Sequence, residues 1–126
     1  MAVAIPNADI KFIRYTKYTD RLIQEAQHDD LLRFGATAAL FENMRSKLFA
    51  HIGCTYANQG DLRHAEMILS FYRKFDDMDK FSIYLSIARK LQETGQSAQF
   101  ARYTAIVPTW VKKKFIKEFK LQKEYI

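Results

Sequence analysis

The chain has 126 residues and a net charge of +6, and 48% of its residues are hydrophobic and 14% aromatic. This composition excludes a disordered chain and suffices for one domain, predicted over residues 1–126, with its own core. Because only four glycines and two prolines interrupt the chain, the sequence favours helices over many short strands.

The single cysteine, Cys54, has no internal partner for a disulfide. No apolar run reaches the about 20 residues of a transmembrane segment, and residues 1–7 lack the charged and long apolar regions of a secretory signal. We therefore expect an intracellular, reducing compartment, either the cytoplasm or an organelle matrix.

A first helical hairpin is predicted over about residues 8–44. Asn7 is the expected N-cap of a helix to about Gln27, and Asp29 or Asp30 is the expected N-cap of the next. Apolar residues then keep a helical spacing as far as Met44. Gly35 lies inside that pattern and predicts close helix packing there.

Two further hairpins are predicted over residues 46–75 and 81–106. In the first, Ser46 and Asp61 are expected N-caps, Gly60 supplies the positive φ of the turn, and Gly53 faces Ala65 across the two helices. In the second, the expected N-caps and the turn glycine are Asp79, Ser97 and Gly95. Pro108 ends that hairpin, and Thr109 is expected to cap a last helix over 109–124.

The two later hairpins repeat with a period of 35 residues. Each pair of equivalent positions keeps its character: aromatic, aliphatic, small, large apolar and turn glycine. The pairs are Phe49 and Tyr84, Ile52 and Ile87, Gly53 and Ala88, Tyr56 and Leu91, and Gly60 and Gly95. The register slips afterwards, because Ala65 aligns with Phe100 while Ala101 comes one residue later.

This pattern, with Ala65 included, resembles the tetratricopeptide repeat, with one good copy at 46–75 and one degenerate copy at 81–106. The segment from Tyr56 to Ala65 is also similar to the RNA-binding pentatricopeptide repeat. Either resemblance implies antiparallel hairpins stacked as a short right-handed solenoid, here followed by a basic C-terminal helix. It also implies a groove formed mainly by the first helices, around 10–27, 46–59 and 81–94. The candidates to line this groove are Phe12, Arg14, Asn58, Arg89 and Lys90.

The last predicted helix concentrates positive charge, since residues 110–126 hold six lysines and two glutamates. Val111, Phe115 and Phe119 fall along one side, so the lysines are expected to face outward. Four of them are candidates to bind nucleic acid or an acidic partner: Lys113, Lys117, Lys120 and Lys123.

Residues with catalytic or metal-binding chemistry are few. Cys54 lies within the repeat pattern and is expected to be a buried structural thiol. A zinc site from His51, Cys54 and His64 lacks a fourth ligand, so no metal and no cofactor are predicted. Arg45 and His51 form an Arg-x5-His pattern that resembles the motif of the HEPN ribonucleases, which implies RNA cleavage.

The sequence therefore predicts a non-enzymatic protein–protein interaction module, an adaptor or a small accessory subunit of a larger assembly. One alternative is an RNA-binding protein that uses the repeat helices and the C-terminal lysines. The other is a HEPN-like ribonuclease.

Overall fold

The computed structural model describes the backbone of residues 7–121 and the side chains of residues 10–121. This part of the chain consists of helices and contains no strand, which confirms the all-α prediction. The seven helices are α1 (Asn7–Gln24), α2 (His28–Thr37), α3 (Glu42–Asn58), α4 (Leu62–Phe71), α5 (Asp77–Glu93), α6 (Ser97–Ile106) and α7 (Thr109–Phe119).

The helices contact one another in a regular order. Each odd-numbered helix packs against the even-numbered helix that follows it, so α1–α2, α3–α4 and α5–α6 are hairpins. The odd-numbered helices also contact one another in the series α1, α3, α5, α7, and each even-numbered helix touches the next odd-numbered one. The core therefore runs through α3 and α5, whose contacts are the most extensive.

The three hairpins share one turn geometry. A residue with positive φ ends the first helix of each pair: Ala26 at 55°, Gly60 at 84° and Gly95 at 70°. The N–H of the following residue donates to the carbonyl five positions back, as in a Schellman turn. These bonds join Gln27 to Leu22, Asp61 to Tyr56, and Gln96 to Leu91. The turns are 34 and 35 residues apart, so the first hairpin follows the same interval as the other two.

The predicted boundary of the first hairpin at residue 44 is wrong. α2 ends at Thr37, Ala38 is extended, and α3 begins at Glu42. The guanidinium of Arg45 donates to the carbonyls of Gly35, Ala38 and Leu40. It thereby binds a carbonyl in the last turn of α2, which the end of a helix leaves without a backbone partner, and two carbonyls of the connection to α3. The apolar periodicity could not reveal these contacts.

Several predicted N-caps lie inside helices instead. Asp29 and Asp30 are in the first turn of α2, and Ser46 is the fifth residue of α3. Asp76, and not Asp79, caps α5 by accepting from Met78 N. Ser97 and Thr109 are the first residues of α6 and α7, after Gln96 and Pro108.

In the hairpins, the turn geometry determines which residue is the N-cap of the second helix. It is always the residue that follows the positive-φ residue, whatever its side chain. Of the three hairpin turns, only the second has a side chain at this position that caps the helix, since Asp61 accepts from His64 N.

Two glycines permit close helix packing. A Cβ on Gly53 would lie 2.6 Å from Ile83 Cδ1, so Gly53 faces α5 and not Ala65 of α4 as predicted. A Cβ on Gly35 would lie 2.6 Å from Phe49 Cζ, which agrees with the close packing predicted at Gly35. Ala65 is fully buried within the core.

The last helix closes the series of odd-numbered helices. Val111 and Phe115 are fully buried against the core, and Phe119 is half-buried. α7 ends at Phe119, short of the predicted residue 124, because Lys120 adopts a left-handed conformation with φ 54°. Leu121 N then donates to Ile116 O across this end. Lys123 lies outside the described residues.

Candidate interaction surface

Polar side chains lie on one side of the odd-numbered helices, and we call this side the odd-helix face. Its residues recur at three or four positions along each helix and therefore share a side. They are Lys17 and Asp20 on α1, Lys47, His51 and Asn58 on α3, Asp79, Ser82, Ser86 and Arg89 on α5, and Glu118 on α7.

Polar pairs connect neighbouring helices across this face. His51 Nε2 donates to Asp20 Oδ1 at 2.7 Å between α3 and α1. Lys47 Nζ lies 3.6 Å from Asp79 Oδ1 between α3 and α5. Arg89 Nη2 donates to Glu118 Oε1 at 2.6 Å between α5 and α7. Exposed pairs of this kind contribute little to stability, but they place acidic and basic side chains in a fixed order.

A buried hydrogen-bonded group lies beneath these pairs and joins α3 to α5. Ser46 is only 2% exposed, and its Oγ donates to Asp79 Oδ2 at 2.7 Å. The same oxygen accepts from Asp76 N at 2.9 Å. Ser46 therefore fixes the start of α5 against α3 and positions Asp79 on the odd-helix face.

The predicted groove residues do not all lie together. Asn58 is exposed, and Arg89 is on the odd-helix face and paired with Glu118. Lys90 is half-buried beside the α3–α4 turn, with its Cε 3.8 Å from the point where a Cβ on Gly60 would lie. Phe12 is half-buried and packs against the core.

Arg14 lies at the outer edge of α1. The equivalent positions in α3 and α5 are Leu48 and Ile83, which are fully buried. Ile83 contacts Gly53 of the preceding odd-numbered helix. No odd-numbered helix precedes α1 in the part of the chain that the structure describes, so Arg14 is exposed there instead.

Two exposed lysines of α7 and the residue that follows the helix form a separate basic strip, consisting of Lys113, Lys117 and Lys120. Lys113 and Lys117 lie on the opposite side of α7 from the buried Val111 and Phe115. Among residues 10–121, no carboxylate lies within 4 Å of the ammonium groups in this strip.

The histidines belong to two different places. His51 pairs with Asp20, whereas His64 Nδ1 donates to Asp61 Oδ2 at 2.7 Å beside the α3–α4 turn. There the rings of His64 and His28 stack with centroids 3.9 Å apart. Among the described residues, no group of three or more histidine, cysteine or acidic side chains is arranged to hold a metal ion.

A hydrogen bond at this turn was not anticipated from the sequence. Tyr56 Oη and His28 Nδ1 are 2.5 Å apart, although the residues are 28 positions apart in the chain. Burial, with a smaller contribution from Asp61, raises the pKa of Tyr56 to about 12. His28 is the first residue of α2. Its position beside Tyr56 could have been predicted only if the first hairpin had been recognised as part of the repeat.

The two residues of the Arg-x5-His pattern serve separate contacts. The guanidinium of Arg45 binds three backbone carbonyls at the end of α2, and His51 binds Asp20 of α1. Six residues correspond to about 240° around a helix beyond one full turn, so the side chains point in different directions. Cys54 is half-buried, and burial raises the pKa of its thiol, which disfavours the thiolate.

The chain matches no protein-family model, and no curated protein or solved structure matches it significantly. Within residues 7–121, no helix has the length and apolar character that crossing a bilayer would require.

Proposed function

We propose that this protein is a non-enzymatic protein–protein interaction module, an adaptor or a small accessory subunit of a larger assembly. In this proposal its hairpins stack as a short, right-handed, tetratricopeptide-like solenoid with α7 as a terminal cap. The main observation in favour of the proposal is that α1 contacts α3, α3 contacts α5 and α5 contacts α7. These contacts bring one side of each helix together in the odd-helix face. A partner that lies along this face meets several helices at once.

The charges of the face support a protein partner of mixed charge. Acidic and basic side chains lie side by side across it, as in the pairs of Asp20 with His51 and Arg89 with Glu118. Such a surface favours a partner with a matching order of charges and disfavours a uniform polyanion. Because Ser46 and the core hold the helices in place, binding along this face costs little conformational entropy of the protein.

The test compares two charge-changing variants in extracts from which nucleic acids have been removed by nuclease. Lys17→Glu with Asn58→Glu alters the odd-helix face, and Arg63→Glu with Arg102→Glu alters exposed positions of α4 and α6. Quantitative mass spectrometry of co-purifying proteins should show one partner retained by the wild type and the α4/α6 variant. Its recovery with the face variant should fall about tenfold or more.

Equal recovery with both variants would contradict this use of the odd-helix face. If RNA co-purified and no protein was retained specifically, the adaptor proposal would fail altogether. Circular dichroism and thermal unfolding of both variants should match the wild type, because all four substituted side chains are exposed.

RNA binding is the second candidate, favoured by the exposed basic strip of α7. Phosphates would contact Lys113, Lys117 and Lys120, and the affinity would fall with salt by a log–log slope of about 0.7 per neutralised phosphate. In fluorescence anisotropy with a labelled single-stranded RNA, charge reversal of the three lysines should abolish binding. Binding that is insensitive to both salt and these substitutions would exclude the strip as an RNA site.

A further inference from the structure

An open cleft lies between the ends of the even-numbered helices α2 and α4 and the start of α3. Its volume is about 370 Å³, which is within the range of small ligand pockets. The residues that line it are Ala36, Glu42, Arg45, Phe49, Phe71, Tyr72, Arg73 and Lys74. None of these belongs to the odd-helix face.

One wall of the cleft is aromatic. The rings of Phe49 and Tyr72 stack with centroids 4.5 Å apart, and Phe71 lies 5.9 Å from Phe49. Phe71 is 45% exposed, so this wall presents apolar surface to solvent. A further aromatic ring placed against Phe71 would remove that surface from water and gain edge-to-face or offset contacts.

The rim of the cleft is basic. It carries three cations, Arg45, Arg73 and Lys74, and the single acid Glu42, whose Oε1 accepts from Lys74 Nζ at 3.1 Å. The hydrogen bonds of Arg45 to three carbonyls fix its charge in place. Two positive charges therefore remain in excess, which favours an anionic ligand.

One residue of the aromatic wall, Tyr72, keeps its hydroxyl buried and out of reach of a ligand in the cleft. Tyr72 is only 8% exposed, and its hydroxyl is buried with no hydrogen-bond partner in the described part of the chain. Such a group costs about 1–3 kcal/mol while it stays unsatisfied. Burial, followed by Glu42, raises the pKa of Tyr72, so the hydroxyl remains a donor at neutral pH.

We propose that this cleft binds a peptide segment of a partner protein in which an aromatic residue is followed by an acidic one. The aromatic ring lies against Phe71, and the carboxylate accepts hydrogen bonds from the exposed guanidinium of Arg73. The aromatic wall and the excess positive charge each select one part of this ligand. The cleft is separate from the odd-helix face, so the two binding activities can be lost independently.

The test is an NMR titration of the ¹⁵N-labelled protein with the dipeptide N-acetyl-Phe-Asp, and with N-acetyl-Phe-Asn as the uncharged control. Saturable shifts are expected at the amides of Ala36, Phe71 and Arg73, at millimolar peptide. The aspartyl peptide should bind about fivefold or more tightly than the asparaginyl peptide, because its acceptor is ionised. Arg73→Gln should weaken its binding about fivefold, because it removes the charged donor to the carboxylate.

A matched control is Arg63→Gln, which removes an exposed positive charge of α4 outside the lining of the cleft. It should leave peptide binding unchanged. Tyr72→Phe, which removes only a buried hydroxyl, should also leave binding unchanged. Because Arg73 is exposed, Arg73→Gln should keep the thermal unfolding temperature of the wild type, and its loss of binding then reports a ligand contact.

Three results would each overturn the proposal: no saturable shift at the cleft, equal affinities for the two peptides, or unchanged binding by Arg73→Gln. Shifts confined to the basic strip of α7 would also contradict it. None of these results depends on the Lys17→Glu, Asn58→Glu variant, so failure here is distinct from failure of the odd-helix face.

Discussion

Tyr56 ionises differently in the folded and the unfolded chain. Its side chain is almost fully buried in α3 beside His28, and burial raises its pKa to about 12, against about 10 for an unfolded tyrosine. Between these values the unfolded chain loses the tyrosyl proton first. The contribution of the protonated Tyr56 to the free energy of unfolding is therefore complete below about pH 10, and it is lost as the pH rises towards 12.

Chemical denaturation across this range tests the point. A shift of two pKa units corresponds to about 2–3 kcal/mol once both states are ionised. Tyr56→Phe should show a shallower decline of the free energy of unfolding between about pH 9 and 11 than the wild type. Parallel declines in the two proteins would mean that Tyr56 does not carry this linkage.

Ser46 makes the buried polar connection between α3 and α5. Ser46→Ala leaves Asp76 N–H and Asp79 Oδ2 each without one partner, so the free energy of unfolding should fall by about 1–3 kcal/mol in urea denaturation. Ser82→Ala is the matched control on an exposed side chain that bonds only to Met78 O. It should change stability by less than about 0.5 kcal/mol. Equal effects of the two substitutions would contradict the structural role of Ser46.

At this scale the sequence predicted little of the polar chemistry. Ser46 has the residue type of a helix cap, and only the approach of Asp79, 33 positions later, shows that it is an internal connection. The cleft was also missed, since the segment from Phe71 to Lys74 has no recognisable spacing. Its character comes from Arg45 and Glu42, which another helix brings to it.

At the scale of helices and turns, Ala26, Gly60 and Gly95 form a natural comparison. All three have positive φ, but only the alanine pays the steric cost of a Cβ, about 1–2 kcal/mol. Glycine avoids that cost and loses part of the gain through the greater entropy of the unfolded chain. Ala26→Gly should therefore stabilise the protein by about 0.5–1 kcal/mol, and Gly60→Ala should destabilise it by at least about 1 kcal/mol.

Thermal and urea unfolding of the two variants measure this directly. Gly95→Ala is a control for crowding, because a Cβ there meets nothing within 4 Å and only the φ angle opposes it. It should behave like Gly60→Ala. Destabilisation by Ala26→Gly would show that the first turn is not equivalent to the others.

The same residues explain which turns could be predicted. Gly60 and Gly95 are typical turn residues, so the second and third turns were placed correctly from the sequence. Ala26 gives no such signal. The break between α2 and α3 was missed for another reason. The apolar spacing from Leu31 to Met44 continues across the break, and the hydrogen bonds of Arg45 to three backbone carbonyls at the break leave no trace in that spacing.

For the whole molecule, the all-α class followed from the helical spacing and the scarcity of glycine and proline. The order of contacts did not, because the pairs that define the odd-helix face join residues about 30 positions apart, such as Asp20 with His51 and Arg89 with Glu118. The predicted groove residues are consequently divided between this face, the core, the outer edge of α1 and the α3–α4 turn. The odd-helix face is the proposed interaction surface because α1, α3, α5 and α7 all contribute to it.

The most direct test is site-specific photo-crosslinking in nuclease-treated extract. The crosslinker p-benzoylphenylalanine replaces Ser82, an exposed residue of the odd-helix face, or Ala101, an exposed residue of α6. The proposed function predicts a discrete protein adduct from position 82 that Lys17→Glu with Asn58→Glu suppresses, and no such adduct from position 101. Adducts from position 101 alone, or equal adducts from both positions, would contradict it.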